Sequence, residues 1–227
     1  MTEPALADAD LRAAALRAVQ RLDALGLNRG STGNLSLRAG AGEGAGEGRF
    51  WITPTGTPAA ALAAEDFVLL DCDGAVQRGA WAPSTEWPFH AAIYRTRPGM
   101  RAVVHLHSPH ATALACLRRP LPAFHYMVAV AGGDSVPCTP YHLFGTAALS
   151  QAVAQAFADR NACLMANHGL VAGGESLAQA MQVALEVEAL CGIYLQALAV
   201  GPPALLSSEQ MAEVIERFKT YGRARRA

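Results

Sequence analysis

The chain carries two histidines two residues apart at the end of an apolar run, Ala102-Val103-Val104-His105-Leu106-His107-Ser108-Pro109-His110. In a strand, residues i and i+2 point to the same face. His105 and His107 therefore aim two imidazoles at one point. A third histidine, His168, stands in Asn167-His168-Gly169, directly after the apolar stretch Cys163-Leu164-Met165-Ala166. A catalytic zinc takes about three protein ligands and keeps an open position. Imidazole suits Zn2+, and Mn2+ or Co2+ are also compatible. A lone histidine more often caps a helix or fills a polar niche. The His-x-His pair with the downstream Asn-His-Gly favours a metal instead. His90, His110, His125 and His142 are read as ordinary histidines.

Glu86 follows Pro83-Ser84-Thr85 and precedes an apolar helix. One reading is a first-turn glutamate paired with the helix dipole. The other is a general base beside the metal. Spacing does not decide between them. Three segments rich in small polar residues could cradle an anion through hydroxyls and backbone N–H groups: Ser31-Thr32-Gly33-Asn34, Thr53-Pro54-Thr55-Gly56-Thr57 and Ser84-Thr85. Each alone is an ordinary turn. Only their convergence in space would carry meaning.

These residues need elements to place them. Apolar spacing predicts an amphipathic helix over 6–25, stopped by Gly26. Strands are expected at 34–38 and 50–53, with the glycine-rich 40–48 as a loose hairpin loop. It lacks the features of a nucleotide-binding loop. Further strands are expected at 66–71 and 75–77, joined by a turn at Asp71-Cys72-Asp73-Gly74. A helix capped by Ser84 or Thr85 should run to Arg97. A strand at 102–107 should lead into a helix opened by Ser108-Pro109. A helix at 146–158, strands at 162–166 and 169–172, a long helix from Leu177 to Val200 and a last helix over 208–221 complete the pattern. Strands alternate with helices and nothing marks a linker. The expected fold is α/β, one domain over 1–227, with a central mixed, mostly antiparallel sheet covered by helices on both faces.

The bulk composition excludes several classes. The 227 residues are 52% hydrophobic and 16% charged, with a formal net charge of −1. No basic field favours nucleic acid; Arg223, Arg225 and Arg226 read as a solvated tail. No uninterrupted apolar run reaches the roughly 18 residues of a membrane span, and the N-terminus lacks signal-peptide features. The expected location is the cytoplasm. The five cysteines are widely spaced, without a CxxC, and read as buried reduced thiols.

Many motifs in order give the chain a further meaning. They include Gly26-Leu27-Asn28-Arg29-Gly30-Ser31-Thr32-Gly33-Asn34, Ile52-Thr53-Pro54-Thr55-Gly56, Pro83-Ser84-Thr85-Glu86-Trp87 and His105-Leu106-His107. His125-Tyr126-Met127, Phe144-Gly145-Thr146, Asn167-His168-Gly169-Leu170 and Phe218-Lys219-Thr220-Tyr221-Gly222 follow. The chain resembles the class II aldolase/adducin family over nearly its whole length, and within it the branch that cleaves ketose 1-phosphates. The resemblance implies His105, His107 and His168 as zinc ligands. It implies Glu86 as the acid/base, able to ligate the metal before substrate arrives. Gly33, Asn34, Thr55, Gly56, Ser84 and Thr85 would hold the substrate phosphate. Tyr126 would donate a proton at the aldehyde oxygen in a neighbouring subunit. Phe144, Phe218 and Tyr221 would line the aldehyde side. A homotetramer with sites between subunits is implied.

The implied reaction is retro-aldol cleavage of L-fuculose 1-phosphate, or of a 5-deoxy- or 5-methylthioribulose 1-phosphate. It yields dihydroxyacetone phosphate and an aldehyde through a zinc-stabilised enediolate. The only lysine is Lys219, which disfavours an imine mechanism. Alternatives within the family are a pentulose-phosphate 4-epimerase, which has aspartate where this chain has Glu86, a methylthioribulose-1-phosphate dehydratase, and a non-enzymatic adducin-like module. The chain departs from the family pattern at Thr85, where a second serine is usual, and at Asn167, where a histidine precedes the ligand.

Overall fold

A computed structural model of the chain describes residues 7–39 and 48–219. The basic tail, Tyr221 and most of the glycine-rich loop lie outside the described residues. The chain runs α1 (Asp8–Ala24), β1 (Asn34–Arg38), β2 (Arg49–Ile52), β3 (Val68–Asp71), β4 (Val76–Arg78), α2 (Trp87–Thr96), β5 (Ala102–Leu106) and α3 (Pro109–Cys116). Then come β6 (Cys138–Thr139), α4 (Ala147–Ala156), β7 (Ala162–Met165), β8 (Gly169–Gly174), α5 (Leu177–Val200) and α6 (Ser208–Phe218). The strands form one eight-stranded sheet in the order β4-β3-β2-β1-β5-β8-β7-β6. Every pairing is antiparallel except β6 with β7.

Alternation along the strands splits the core in two. Ala102, Val104 and Leu106 of β5 pack with α1, α3, α5 and α6 on one face. Val103 of β5 packs with α2 and α4 on the other. His105 shares the face of Val103, and its ring meets Phe89 of α2 edge-on, centroids 5.6 Å apart. Both faces of the sheet are covered, as the apolar run of β5 requires.

Most elements fall where the sequence places them, with local differences. The strand expected from residue 66 starts at Val68, because Ala64–Asp66 close a 3-10 turn whose Asp66 carboxylate accepts from the Ala63 N–H, 2.8 Å. Neither Ser84 nor Thr85 caps α2. The cap residue is Glu86 itself, whose side chain makes no bond to the helix amides. Two short features have no sequence signal: the two-residue β6 and a 3-10 turn over Tyr126–Ala131. Of the cysteines, Cys163 and Cys191 are buried as expected, but Cys116 is exposed. All five are free thiols.

Helix α5 is 24 residues long and apolar enough to cross a membrane by composition alone. Here it is the core helix of one face, packed on the sheet through Val183, Val187 and Leu190. Its Glu188 is buried and accepts four hydrogen bonds: from Ser108 Oγ (2.6 Å), His110 N (2.9 Å), Ala111 N (2.8 Å) and His110 Nδ1 (2.9 Å). The carboxylate thus satisfies the orphan amides at the start of α3 and fixes the chain just after His107. Glu188→Ala leaves those donors buried and unpaired. It should lower unfolding free energy by about 2–4 kcal/mol, read as a shifted denaturant midpoint.

Candidate active site

β5 lies between β1 and β8, with His105 facing Asn34 on one side and Val171 on the other. His105 Nδ1 lies 2.9 Å from the Leu170 carbonyl oxygen. A carbonyl only accepts, so Nδ1 carries the proton and Nε2 presents a lone pair in the neutral ring. His107 lies one residue past the ladder, on the same side as His105, with its backbone N–H donating to Asn28 Oδ1 at 3.4 Å. His168 sits in the tight β7–β8 turn. Asn167 there adopts φ 56°, its N–H donates to the Ala115 carbonyl, and Arg118 Nε donates to its Oδ1, 2.8 Å. Gly169 follows because any Cβ there would collide with the Leu106 carbonyl. Gly33 has a similar cause: its φ is +73° and a Cβ would come within 2.7 Å of the His105 carbonyl oxygen.

The three imidazoles stand nearly perpendicular to one another, centroids 4.8–4.9 Å apart. His107 Nε2 is 3.0 Å from His105 Nε2. Glu86 Oε2 is 3.1 Å from His105 Nε2, and Oε1 is 3.2 Å from His168 Nε2. All four candidate ligand atoms lie within 4.8 Å of one another. Glu86 Oε1 nonetheless meets no donor in hydrogen-bond geometry. The atoms point at a shared centre rather than at each other. Lone pairs this close repel unless a cation sits among them. Metal–nitrogen bonds of about 2.05 Å at the tetrahedral angle would put neighbouring donors about 3.3 Å apart. The donor set fits a divalent transition-metal ion.

The electrostatics agree with that fit. Burial opposes ionisation of Glu86, but the charge and hydrogen bonding that His105, then His168, supply when a proton sits on Nε2 in place of a metal cation outweigh it. They hold the carboxyl well below the usual carboxylate range. Burial, reinforced by His105 and His168, pushes His107 down to about 4. It is a neutral, ligand-competent imidazole at neutral pH.

Beside this cluster lies a cavity of about 310 Å3. The three polar segments converge there. Thr53 N donates to the Leu35 carbonyl, Ser84 N to the Thr53 carbonyl and Thr55 N to the Ala82 carbonyl, and an isolated bridge joins Pro54 to Pro83. Gly33, Asn34, Thr55, Gly56, Ser84 and Thr85 all line the cavity, together with Glu86, His107 and His168. No Lys or Arg is among its described lining residues. Phe144 stands at the same cavity and is 60% exposed. Tyr126 is 51% exposed and stacks on His125, away from this chain's cavity. Phe218 packs against the core on the opposite face of the sheet.

Comparison with known proteins places this geometry. The family model for the class II aldolase and adducin N-terminal domain matches residues 13–195. The chain belongs to the class II aldolase and adducin family. It is 46% identical over 212 residues to a 5-methylthioribulose-1-phosphate/5-deoxyribulose-1-phosphate aldolase of Rhodospirillum rubrum, covering 93% of this chain and 92% of the relative. It is 47% identical over 199 residues to the L-fuculose phosphate aldolase of Escherichia coli K12, covering 87% and 89%. A solved L-fuculose 1-phosphate aldolase superposes with a TM-score of 0.86 at 38% identity, over 92% of this chain and 96% of the other. The fold of this class II aldolase/adducin chain is that of solved family members.

Four further residues shape the site without a sequence motif that marks them. His142 and Tyr141 line the cavity. Asn28 holds the His107 backbone. His90, read as ordinary, is fully buried against Asn34 and Ser36. Burial, with His105 adding to it, pushes His90 down to about 3. The available signal was position: Glu86 and His90 are four residues apart on one helix face.

The His90 shift fixes a pH dependence. In the unfolded chain the imidazole takes up a proton near 6.5, while the folded protein keeps it neutral down to about 3. The stability this represents is present above 6.5 and is lost as pH falls, at up to about 1.4 kcal/mol per unit. Denaturation between pH 6.5 and 4.5 should show His90→Gln with a shallower loss than the parent.

Proposed function

We propose that this chain is a metal-dependent aldolase, with 1–227 as one catalytic domain. It would cleave a ketose 1-phosphate such as L-fuculose 1-phosphate, 5-deoxyribulose 1-phosphate or 5-methylthioribulose 1-phosphate to dihydroxyacetone phosphate and an aldehyde. The observation that carries this reading is the convergence of three imidazoles and a buried carboxylate beside a cavity lined by hydroxyls and glycines. The relatives named for these three substrates support it.

In this reading His105, His107 and His168 hold the metal, assigned as Zn2+. The bound cation supplies Lewis-acid stabilisation of the negative charge that C3–C4 cleavage leaves on the three-carbon fragment. The cavity segments carrying Gly33, Asn34, Thr55, Gly56, Ser84 and Thr85 receive the phosphate through neutral donors. They set the distance from the phosphate to the reacting carbons. Glu86 would be able to hold the metal together with the histidines before substrate arrives, and its carboxyl is placed to deliver a proton to C3. In the synthetic direction it removes that proton. In the synthetic direction Tyr126 of a neighbouring subunit in a homotetramer would give its proton to the aldehyde oxygen as the C3–C4 bond forms, and in cleavage the C4 hydroxyl proton returns along the same path, a role its exposure suits. Phe144 would shape the aldehyde side of this chain's cavity, and Phe218, on the opposite face of the sheet, would with Tyr221 serve an aldehyde side only at a neighbouring subunit's site. An imine route has no candidate nucleophile nearby: Lys219, the only lysine, pairs with Glu216 at 2.5 Å, beyond the end of α6.

A panel of ketose 1-phosphates, with dihydroxyacetone phosphate release followed by a coupled assay, tests the reaction. Turnover of ribulose 5-phosphate alone, without that product, would replace the reading with epimerisation. His107→Ala should lose both bound metal and activity, measured by elemental analysis and the same assay. A fully active metal-free variant overturns the metal role. Glu86→Gln should keep its metal and lose exchange of the C3 proton of dihydroxyacetone phosphate by at least about 100-fold. Undiminished exchange would move the acid/base role elsewhere.

A further inference from the structure

Behind Glu86 runs a chain of buried polar groups of which the reaction above uses only Asn34. Asn34 Nδ2 lies 2.9 Å from Glu86 Oε2. Asn34 Oδ1 lies 2.5 Å from His90 Nε2. His90 Nδ1 lies 2.7 Å from Ser36 Oγ, and Ser36 Oγ lies 2.8 Å from the Tyr94 hydroxyl. Asn34, Ser36, His90 and Tyr94 are all buried. β1 supplies Asn34 and Ser36 from one face, and the Glu86 cap of α2 with His90 and Tyr94 inside it supply groups four residues apart along one stripe.

Donor and acceptor chemistry gives this chain one direction. An ionised carboxylate only accepts, so Asn34 must present Nδ2 to Glu86. Asn34 Oδ1 then faces His90, whose Nε2 must carry the proton. His90 Nδ1 is left as an acceptor, filled by the Ser36 hydroxyl, and Ser36 Oγ accepts from Tyr94. Reversing the Asn34 amide would set its oxygen against the Glu86 carboxylate and its N–H2 against the His90 N–H. We propose that His90 is a positioning residue: the Glu86 carboxylate sets the polarity of the Asn34 amide, and the His90 Nε2–H, bonded to Asn34 Oδ1, holds that amide in place and through it the orientation of the Glu86 carboxylate beside the reacting carbon. This rests on the aldolase reading only for what Glu86 does; the polarity of the chain does not depend on it.

Two measurements on the full-length, metal-loaded protein test it. The first is the tautomer of His90, read from 15N shifts of histidine-labelled protein and assigned by loss of the signal in His90→Gln. A neutral ring protonated at Nε2 is expected. A ring protonated at Nδ1 overturns the proposal whatever the enzyme catalyses.

The second is kinetic. In His90→Gln the side-chain amide reaches the Nε2 position and can still donate to Asn34. In His90→Phe it cannot. For C3 proton exchange of dihydroxyacetone phosphate, His90→Phe should lose about 10–100-fold in kcat. Its metal content should equal the parent's, with KM within about threefold. His90→Gln should recover kcat to within about threefold of the parent, at the same tolerance. Equal losses in the two variants, or a His90→Phe enzyme as fast as the parent, overturn the proposal. If His90→Phe does not fold, His90→Asn replaces it, because its amide stands at the Nδ1 position and falls short of Asn34. A parent protein that exchanges no proton refutes the aldolase reading, and the tautomer then decides the proposal alone.

Discussion

The bond from His105 Nδ1 to the Leu170 carbonyl ties a side chain to the register of two strands. It sets which ring nitrogen is free and where that nitrogen points. It exists only while β5 and β8 pair as they do, Leu106 opposite Leu170. Their close approach needs Gly169, and the same glycine ends the turn that carries His168. Two of the three imidazoles are therefore placed by one strand pairing. Slipping that register by one residue would send His105 into the other core, among leucines.

The remaining donors are brought to this pairing from outside it. Asn34 enters because β1 pairs with β5 on the other side, opposite His105. Glu86 enters because α2 begins there, packed on the same face through Phe89. No single element holds two of the three contributors His105, Glu86 and His168. Metal-ligand geometry at this precision depends on the whole middle of the sheet, which is why its surroundings are so fully hydrogen-bonded.

Much of this was legible in the sequence, for reasons that follow from period. His105 and His107 announce themselves because a strand repeats every two residues and the flanking residues are apolar. His168 is legible because it ends a second apolar run. The sheet class follows from strands and helices in alternation. Glu86 was legible as a residue but not in orientation: a cap glutamate and a site glutamate look alike until the partner face is known. Asn28, Glu188 and the Arg118–Asn167 pair were not legible, since their partners lie 79, 80 and 49 residues away. β6 is too short to carry a pattern. His90 sits on an apolar helix face, where burial hides a polar role.

The cavity beside the metal-type cluster has no ammonium or guanidinium among its described lining residues, and the chain as a whole is close to neutral. Amide and hydroxyl dipoles act over a few ångströms, not over a Debye length. An anion seated there is held at close quarters, but these dipoles do not draw it in from solution. Any long-range pull on an incoming anion would come from the divalent cation that the neighbouring imidazoles are arranged to hold, not from the residues around the phosphate. With no fixed cationic side chain among those lining residues, the phosphate is held by short-range dipoles alone, and a change of charge at the metal-type cluster is felt there more than it would be beside a lysine or arginine.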